Sequence, residues 1–176
     1  NADEPPSVVP TMLTLAHWNP HWECFAKEPS CKTGAVSALD TLLGPSYGIK
    51  ADFFSLIEFE VDNYIPPAPY ILIGNFQSCG HDWATLIYNN DTWELASTPL
   101  VGCLAAGRSF AAATFTRRAA AAGAELAVVA AHFPQTQHNA SAYAEATASL
   151  RGALRKLGPA AMTAVLADTN TESPAA

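Results

Sequence analysis

The apolar residues of this chain come in short runs, each long enough for one β-strand and too short to cross a membrane. Short apolar runs bounded by turn residues predict buried strands. The runs lie at 11–19, 51–59, 70–74, 83–88, 93–95, 109–116, 125–132 and 162–167. Two further segments, 35–43 and 141–157, have apolar residues at helical spacing and are each followed by Gly-Pro, a helix stop.

The order of these segments is strand, helix, several strands, helix, strand. That order predicts a mixed α/β domain in which helices cover sheets. Residues 1–10 contain three prolines and two acids, so we expect a flexible leader there. Residues 21–34 are expected to form a loop, and a Gly123 turn is expected between two of the later strands. With no internal repeat or composition shift, residues 11–176 are expected to form a single domain.

Charge limits the class of partner. The 176 residues carry a net charge of −7 with only nine Lys and Arg, so the sequence has no basic stripe of the kind that follows a nucleic-acid backbone. A phosphodiesterase remains open, because a bound divalent cation can supply positive charge locally. The 49% apolar and 14% charged composition is that of a globular chain.

The four cysteines are Cys24, Cys31, Cys79 and Cys103. None forms a C-x-x-C pair, which argues against a zinc ribbon or a thioredoxin-type site. An even count permits two disulfides with three pairings. We favour Cys24–Cys31 and Cys79–Cys103, because each would close a local loop; four unpaired buried thiols are the alternative.

Two glycosylation sequons begin at Asn90 and Asn139. Together with the cysteines they favour a secreted or lumenal glycoprotein. The segment 1–6 is typical of a mature N-terminus left after signal-peptide cleavage, and no apolar run is long enough for a transmembrane segment.

Four of the predicted strands end on polar side chains. Trp-Asn closes the first strand at Asn19, and an Asp, an apolar run and then Glu58 form the second. The strand at 125–132 ends at His132, and the last strand runs into Asp168-Thr-Asn170. A Trp-Asn pair or an Asp-x-Asn alone is common by chance, but four such strand ends in this order are a specific pattern.

These segments resemble the endonuclease/exonuclease/phosphatase superfamily, a set of Mg²⁺-dependent phosphoesterases. The resemblance covers most of the chain and implies a deoxyribonuclease I-like fold: a two-layer β-sandwich flanked by helices. Ile57, Ala167 and Thr169 depart from the family pattern. The family's final Ser-Asp-His motif does not occur before Ala176, so we expect a C-terminally incomplete domain that lacks the last strands of the family fold.

The resemblance also implies roles for the residues at the strand ends. Glu58 would bind Mg²⁺, or another divalent cation such as Mn²⁺ or Ca²⁺, and Asn19 would help to hold it. Asp168 would orient or deprotonate the attacking water, while Asn170 and His132 would donate hydrogen bonds to phosphate oxygens. Ordinary structural alternatives are a surface acid, turn-forming Asn and Asp residues, and a satisfied core histidine.

Two functions follow from this reading. The first is a secreted phosphoesterase that hydrolyses a phosphodiester or phosphomonoester in a nucleic acid, a phospholipid or a small molecule. Arg108 is a further candidate for a charge-assisted phosphate contact. The second is a catalytically inactive member of the fold that serves as a binding or structural subunit of an extracellular or lumenal assembly. A protein partner covering the incomplete sandwich is expected under that alternative.

Overall fold

The computed structural model of the chain describes residues 12–45, 50–74, 79–80, 82–118, 125–135 and 140–171. The expected leader at 1–10, the Gly123 turn and the sequon at Asn139 lie outside these residues. No helix in the described part is long and apolar enough to span a bilayer.

One β-sheet carries the N-terminal half of the described chain. Its strands are Leu15–Trp18 (β1), Phe53–Ile57 (β2), Tyr70–Ile73 (β3) and Ala84–Asn89 (β4), in the spatial order β1-β2-β4-β3. β1 and β2 run parallel, whereas β4 is antiparallel to both of its neighbours. β1 is an edge strand with alternating exposure, and it is therefore less buried than its apolar sequence predicts.

The second β-sheet comes from the C-terminal half. Its strands are Trp93–Leu95 (β5), Leu100–Cys103 (β6), Ser109–Arg117 (β7), Leu126–His132 (β8) and Met162–Asp168 (β9). The order is β5-β7-β8-β9, with β6 also paired to β7, and β8 and β9 run parallel. The parallel pairing matters for the site, because it brings the carboxyl ends of β8 and β9 side by side.

The helices are Glu23–Ala26 (α1), Pro29–Leu43 (α2) and Ala140–Leu157 (α3). Apolar side chains form three clusters in the described chain. One lies between the two sheets around Phe53 and Phe115, one joins the first sheet to α1 and α2 through Leu39, and one joins the second sheet to α3 through Leu150. The predicted two-layer β-sandwich flanked by helices is therefore confirmed.

The expected loop at 21–34 is wrong in part. α1 lies within it, and α2 begins at Pro29, six residues before the first residue of the predicted helix at 35–43. Proline is suited to the first turn of a helix because its missing N–H has no helical partner there. β6 was also missed, because it has only four residues and one of them is Gly102, which is unfavourable inside a strand.

Both favoured disulfides are confirmed. Cys24–Cys31 joins α1 to α2 across a separation of seven residues, and Cys79–Cys103 joins the segment before β4 to the end of β6 across 24 residues. The described chain has no free cysteine.

Candidate metal centre and active site

Parallel strand pairing brings the predicted site residues together in two pairs. In the first sheet, Trp18 pairs with Leu56, so that Asn19 and Glu58 follow neighbouring strand ends. In the second sheet, His132 pairs directly with Asp168. Both pairs lie at the same end of the sandwich, because polar contacts connect them across the two sheets.

Two of the contacts that cross between the sheets at this end join predicted site residues to one another. The Asn19 Nδ2 atom donates to Asp168 Oδ2 at 3.0 Å, across 149 residues of sequence. The His132 Nε2 atom lies 3.5 Å from Glu58 Oε1. The site is thus a junction of the two sheets, and both sheets must be in place before it exists.

Glu58, His132 and Asp168 form a group suited to a divalent cation. One ligand atom from each lies within 4.8 Å of the other two, slightly more than the roughly 4.2 Å between opposite ligands of a small divalent ion. Glu58 is 7% exposed and His132 is fully buried. The buried Nε2 atom of His132 has no hydrogen-bond partner in the described chain. The group therefore contains one imidazole nitrogen that the protein itself does not satisfy. Carboxylate oxygens beside such an atom fit a divalent metal ion.

Glu58 is held at the end of β2 by backbone contacts. Its N–H donates to the Trp83 carbonyl at 2.8 Å, and its Oε2 accepts the Trp22 N–H at 2.6 Å. The second carboxylate oxygen, Oε1, faces His132. The carboxylate therefore has one oxygen fixed by the protein and one directed into the site.

Asp168 is oriented from both sides. Its Oδ1 accepts the backbone N–H of Asn170 at 3.0 Å, and its Oδ2 accepts the Asn19 amide. Asn170 is anchored in turn, because its Nδ2 donates to the Phe133 carbonyl at 2.7 Å. The Asn19 side-chain oxygen accepts the His21 N–H at 2.8 Å, so both polar atoms of this amide are bonded within the protein. These contacts make Asn19 an anchor for Asp168 in this structure.

His132 is held from its other ring nitrogen. Its Nδ1 lies 3.1 Å from the Asp82 carbonyl oxygen and 3.5 Å from Arg108 Nη1. Burial lowers the pKa of His132, and the nearby Arg108 lowers it further, while Glu58 and Asp168 oppose that shift. The neutral imidazole is therefore favoured at this position.

Asp82 and Arg108 form an ion pair behind His132, on the side away from Glu58. The Asp82 N–H is fixed by Glu60 Oε1 at 2.7 Å. Sequence reasoning did not single out Asp82, and it offered Arg108 as a candidate for a phosphate contact. In the structure the Arg108 guanidinium is paired with the Asp82 carboxylate, and its contact with a phosphate stays a prediction. The signal available in the sequence was slight: each residue stands just before a strand.

Left-handed backbone conformations concentrate at this end of the molecule. His21 (φ 71°), Glu58 (φ 59°), Asp82 (φ 68°) and Asn170 (φ 48°) each have a positive φ without being glycine. Such residues cost free energy, and they persist where the surrounding structure fixes them, often at functional sites. The concentration of strained positions supports a functional centre here.

All five residues predicted for the site, listed as Asn19, Glu58, His132, Asp168 and Asn170, lie at this one end of the sandwich. Their chemical roles stay predictions. The placement follows from the strand pairing. Each sheet has one parallel pair, β1–β2 and β8–β9, and the carboxyl ends of the two pairs face each other.

Neither a protein-family model nor a curated protein sequence matches the chain. Solved structures do match the chain. TDP2 from D. rerio, humanized by 14 mutations, superposes with a TM-score of 0.62 at 16% identity, covering 92% of this chain and 63% of that one. An endonuclease/exonuclease/phosphatase family protein from Bacteroides thetaiotaomicron superposes with a TM-score of 0.65 at 14% identity, covering 91% of this chain and 63% of that one. The mannosyl-6-phosphatase of the same species superposes with a TM-score of 0.64 at 14% identity, covering 90% of this chain and 66% of that one.

The chain therefore has the fold of the endonuclease/exonuclease/phosphatase superfamily, a fold that phosphoesterases use. It spans 63–66% of the length of these three solved structures. At these identities the likeness defines the fold, and the chemistry must be argued from the site.

Proposed function

We propose that this chain is a secreted, metal-dependent phosphoesterase that hydrolyses a phosphodiester or a phosphomonoester with a water molecule activated at the strand-end site. The observation that carries the proposal is the convergence of Glu58, His132 and Asp168 from both sheets, on a fold used by phosphatases. The two disulfides and the absence of a spanning helix among the described residues are compatible with secretion.

The residues would share the reaction as follows. Glu58 would hold the divalent cation, with Asn19 beside it, and such an ion would offset the charge on the phosphate oxygens. Asp168, fixed by Asn19 and Asn170, would orient the attacking water and accept its proton. The water oxygen would bond to phosphorus as the bond to the leaving oxygen breaks. The leaving group would take up a proton from solvent, and Asp168 would return its proton to solvent. Asn170 has a second amide hydrogen beyond the one given to Phe133, and it would donate that hydrogen to a phosphate oxygen.

The test is hydrolysis by the purified chain of two chromogenic esters, bis(p-nitrophenyl) phosphate and p-nitrophenyl phosphate, with Mg²⁺ or Mn²⁺ present. We expect turnover of at least one ester that EDTA abolishes. Glu58→Gln and Asp168→Asn should each lower kcat by about 100-fold or more. Asp91→Asn is the matched control, because this exposed carboxylate lies on the turn between β4 and β5. A folded protein that hydrolyses neither ester would refute the proposal.

A non-catalytic binding subunit is the second candidate, and exposed apolar side chains favour it. Met162 and Val165 on β9 are 62% and 51% exposed, and Leu15 on β1 is 39% exposed. β1 and β9 are edge strands of their sheets in the described chain. A protein partner that covers these edges would account for their exposure. Activity on neither ester, together with stable association with such a partner, would support this function.

A further inference from the structure

The two nitrogens of the His132 ring have different surroundings, and those surroundings decide which one carries the proton. Nδ1 lies 3.1 Å from the Asp82 carbonyl oxygen. A carbonyl oxygen can only accept a hydrogen bond, so this contact is favourable when Nδ1 is protonated. The Arg108 Nη1 atom is a donor, so a hydrogen bond from it would require the opposite tautomer. It is farther away, at 3.5 Å, and it is already paired with the Asp82 carboxylate. The Nδ1–H tautomer is therefore favoured.

That tautomer leaves a lone pair on Nε2, and this lone pair points into the site. Nε2 is fully buried and lacks a hydrogen-bond partner in the described chain. The atom opposite is Glu58 Oε1 at 3.5 Å, which is also an acceptor. Two facing acceptors in a water-excluded space repel each other, and a buried unsatisfied nitrogen costs free energy.

A positive species between the two atoms would remove both costs. A proton on Nε2 is one option, but the Arg108 guanidinium, whose Nη1 atom lies 3.5 Å from Nδ1, disfavours a second positive charge on this ring. A divalent ion is the other, and a neutral imidazole whose second N–H donates to a backbone carbonyl is the usual form of a metal-binding histidine. Asp82 supplies that carbonyl.

We propose that His132 binds the divalent ion directly through Nε2, together with Glu58 Oε1 and an Asp168 oxygen, and that the site prefers a transition-metal ion such as Mn²⁺ to Mg²⁺. The inference rests on the cation site of the proposed function. It changes the role of His132 from hydrogen-bond donor to ligand, and it adds a metal contact to the water-orienting role of Asp168. Mg²⁺ favours oxygen ligands, whereas an imidazole nitrogen beside carboxylates suits first-row transition ions. Asp82 and Arg108 are then positioning residues behind the ligand.

The direct test uses the purified chain, labelled with ¹⁵N histidine, loaded with Mn²⁺ chloride and examined by pulsed electron paramagnetic resonance. We expect a ¹⁵N coupling from a directly bound histidine nitrogen, and at least tenfold tighter binding of Mn²⁺ than of Mg²⁺ by calorimetry. Absence of the nitrogen coupling in the Mn²⁺-loaded protein would overturn the inference. This measurement needs no substitution and therefore does not depend on the folding of a variant.

Variants assign the coupling to one ring. His132→Gln should abolish it and lower Mn²⁺ affinity by more than tenfold, while His21→Gln should keep it, because the His21 side chain is exposed. If His132→Gln does not fold, a long-range ¹H–¹⁵N spectrum of the metal-free wild-type protein replaces it. The expected signature is a His132 ring with its proton on Nδ1, and a proton on Nε2 instead would overturn the inference.

The two proposals fail separately. A nitrogen coupling from His132 in a protein without esterase activity would refute the proposed function and leave the metal ligand standing. Cation-dependent hydrolysis without any nitrogen coupling would refute His132 as a metal ligand and leave the proposed function standing.

Discussion

A buried carboxylate lies at each end of β2, and the two have opposite surroundings. Asp52, just before the strand, has both oxygens satisfied: Oδ2 accepts the Thr14 N–H at 2.8 Å and Oδ1 accepts the Trp93 Nε1–H at 2.9 Å. Glu58, just after the strand, has one oxygen bonded to the Trp22 N–H, and the other faces the unsatisfied nitrogen of His132. Both side chains are less than one tenth exposed.

The difference separates a structural acid from a candidate functional one. A fully hydrogen-bonded buried carboxylate stabilises the fold, since its donors would otherwise be left without partners. A carboxylate with one oxygen facing another acceptor contributes little to stability. Its position becomes favourable only when a ligand binds to that oxygen. The same strand thus supports the fold at one end and the chemistry at the other, as expected when a site is placed on a rigid element.

The largest effect expected from this comparison is on stability at the Asp52 end. Asp52→Ala removes the acceptor for one buried and one partly buried N–H group, and we expect the free energy of unfolding to fall by about 3–5 kcal/mol. Glu58→Gln keeps an acceptor for Trp22 and should change the free energy of unfolding by less than about 1 kcal/mol. Urea unfolding of the metal-free proteins measures both. Equal losses in the two variants would remove the distinction between the two acids.

The two disulfides offer a second comparison. Chain-entropy arguments give about 3.5 kcal/mol for the loop closed by Cys79–Cys103 and about 2.5 kcal/mol for the one closed by Cys24–Cys31. We expect the paired Cys→Ser variants to lose stability in that order in urea unfolding.

The Cys79–Cys103 pair should also matter at the site, because it ties the segment before Asp82 to the turn before Arg108. An added Cβ on Gly107 in that turn would lie 3.0 Å from the Cys79 carbonyl oxygen, so the two segments are tightly apposed. Calorimetry should show weaker Mn²⁺ binding for the Cys79/Cys103 variant than for the Cys24/Cys31 variant. The reverse ranking would contradict a link between this disulfide and His132.

The smallest expected effect concerns the ion pair behind His132. Arg108→Met frees the Asp82 carboxylate, and loss of an outer-shell contact typically lowers metal affinity about tenfold or more. Arg108→Lys, which keeps the charge, should restore part of that affinity. Mn²⁺ titration of the two variants distinguishes this from a purely structural role, which would shift the unfolding midpoint and leave the affinity of the folded protein unchanged.

Much of the fold was readable from the sequence. Short apolar runs predicted most of the strands, and the helical spacing at 141–157 predicted α3 to within one residue. The predicted cysteine pairs were correct, since both close local loops. The start of α2 was missed, because a helix that begins with Pro29 in a cysteine-bearing segment has a weak local pattern. The strand β6 was missed, because it is short and contains glycine.

By itself, the sequence determined which side chains stand at the strand ends: Asn19, Glu58, His132, Asp168 and Asn170. Tertiary structure alone decided how they act on one another. The Asn19 contact with Asp168 spans 149 residues, and the His132 ring is held by a backbone carbonyl 50 residues away. Local patterns encode strand and helix because their periods are short, whereas the orientation of a buried nitrogen depends on whichever distant backbone group packs against it.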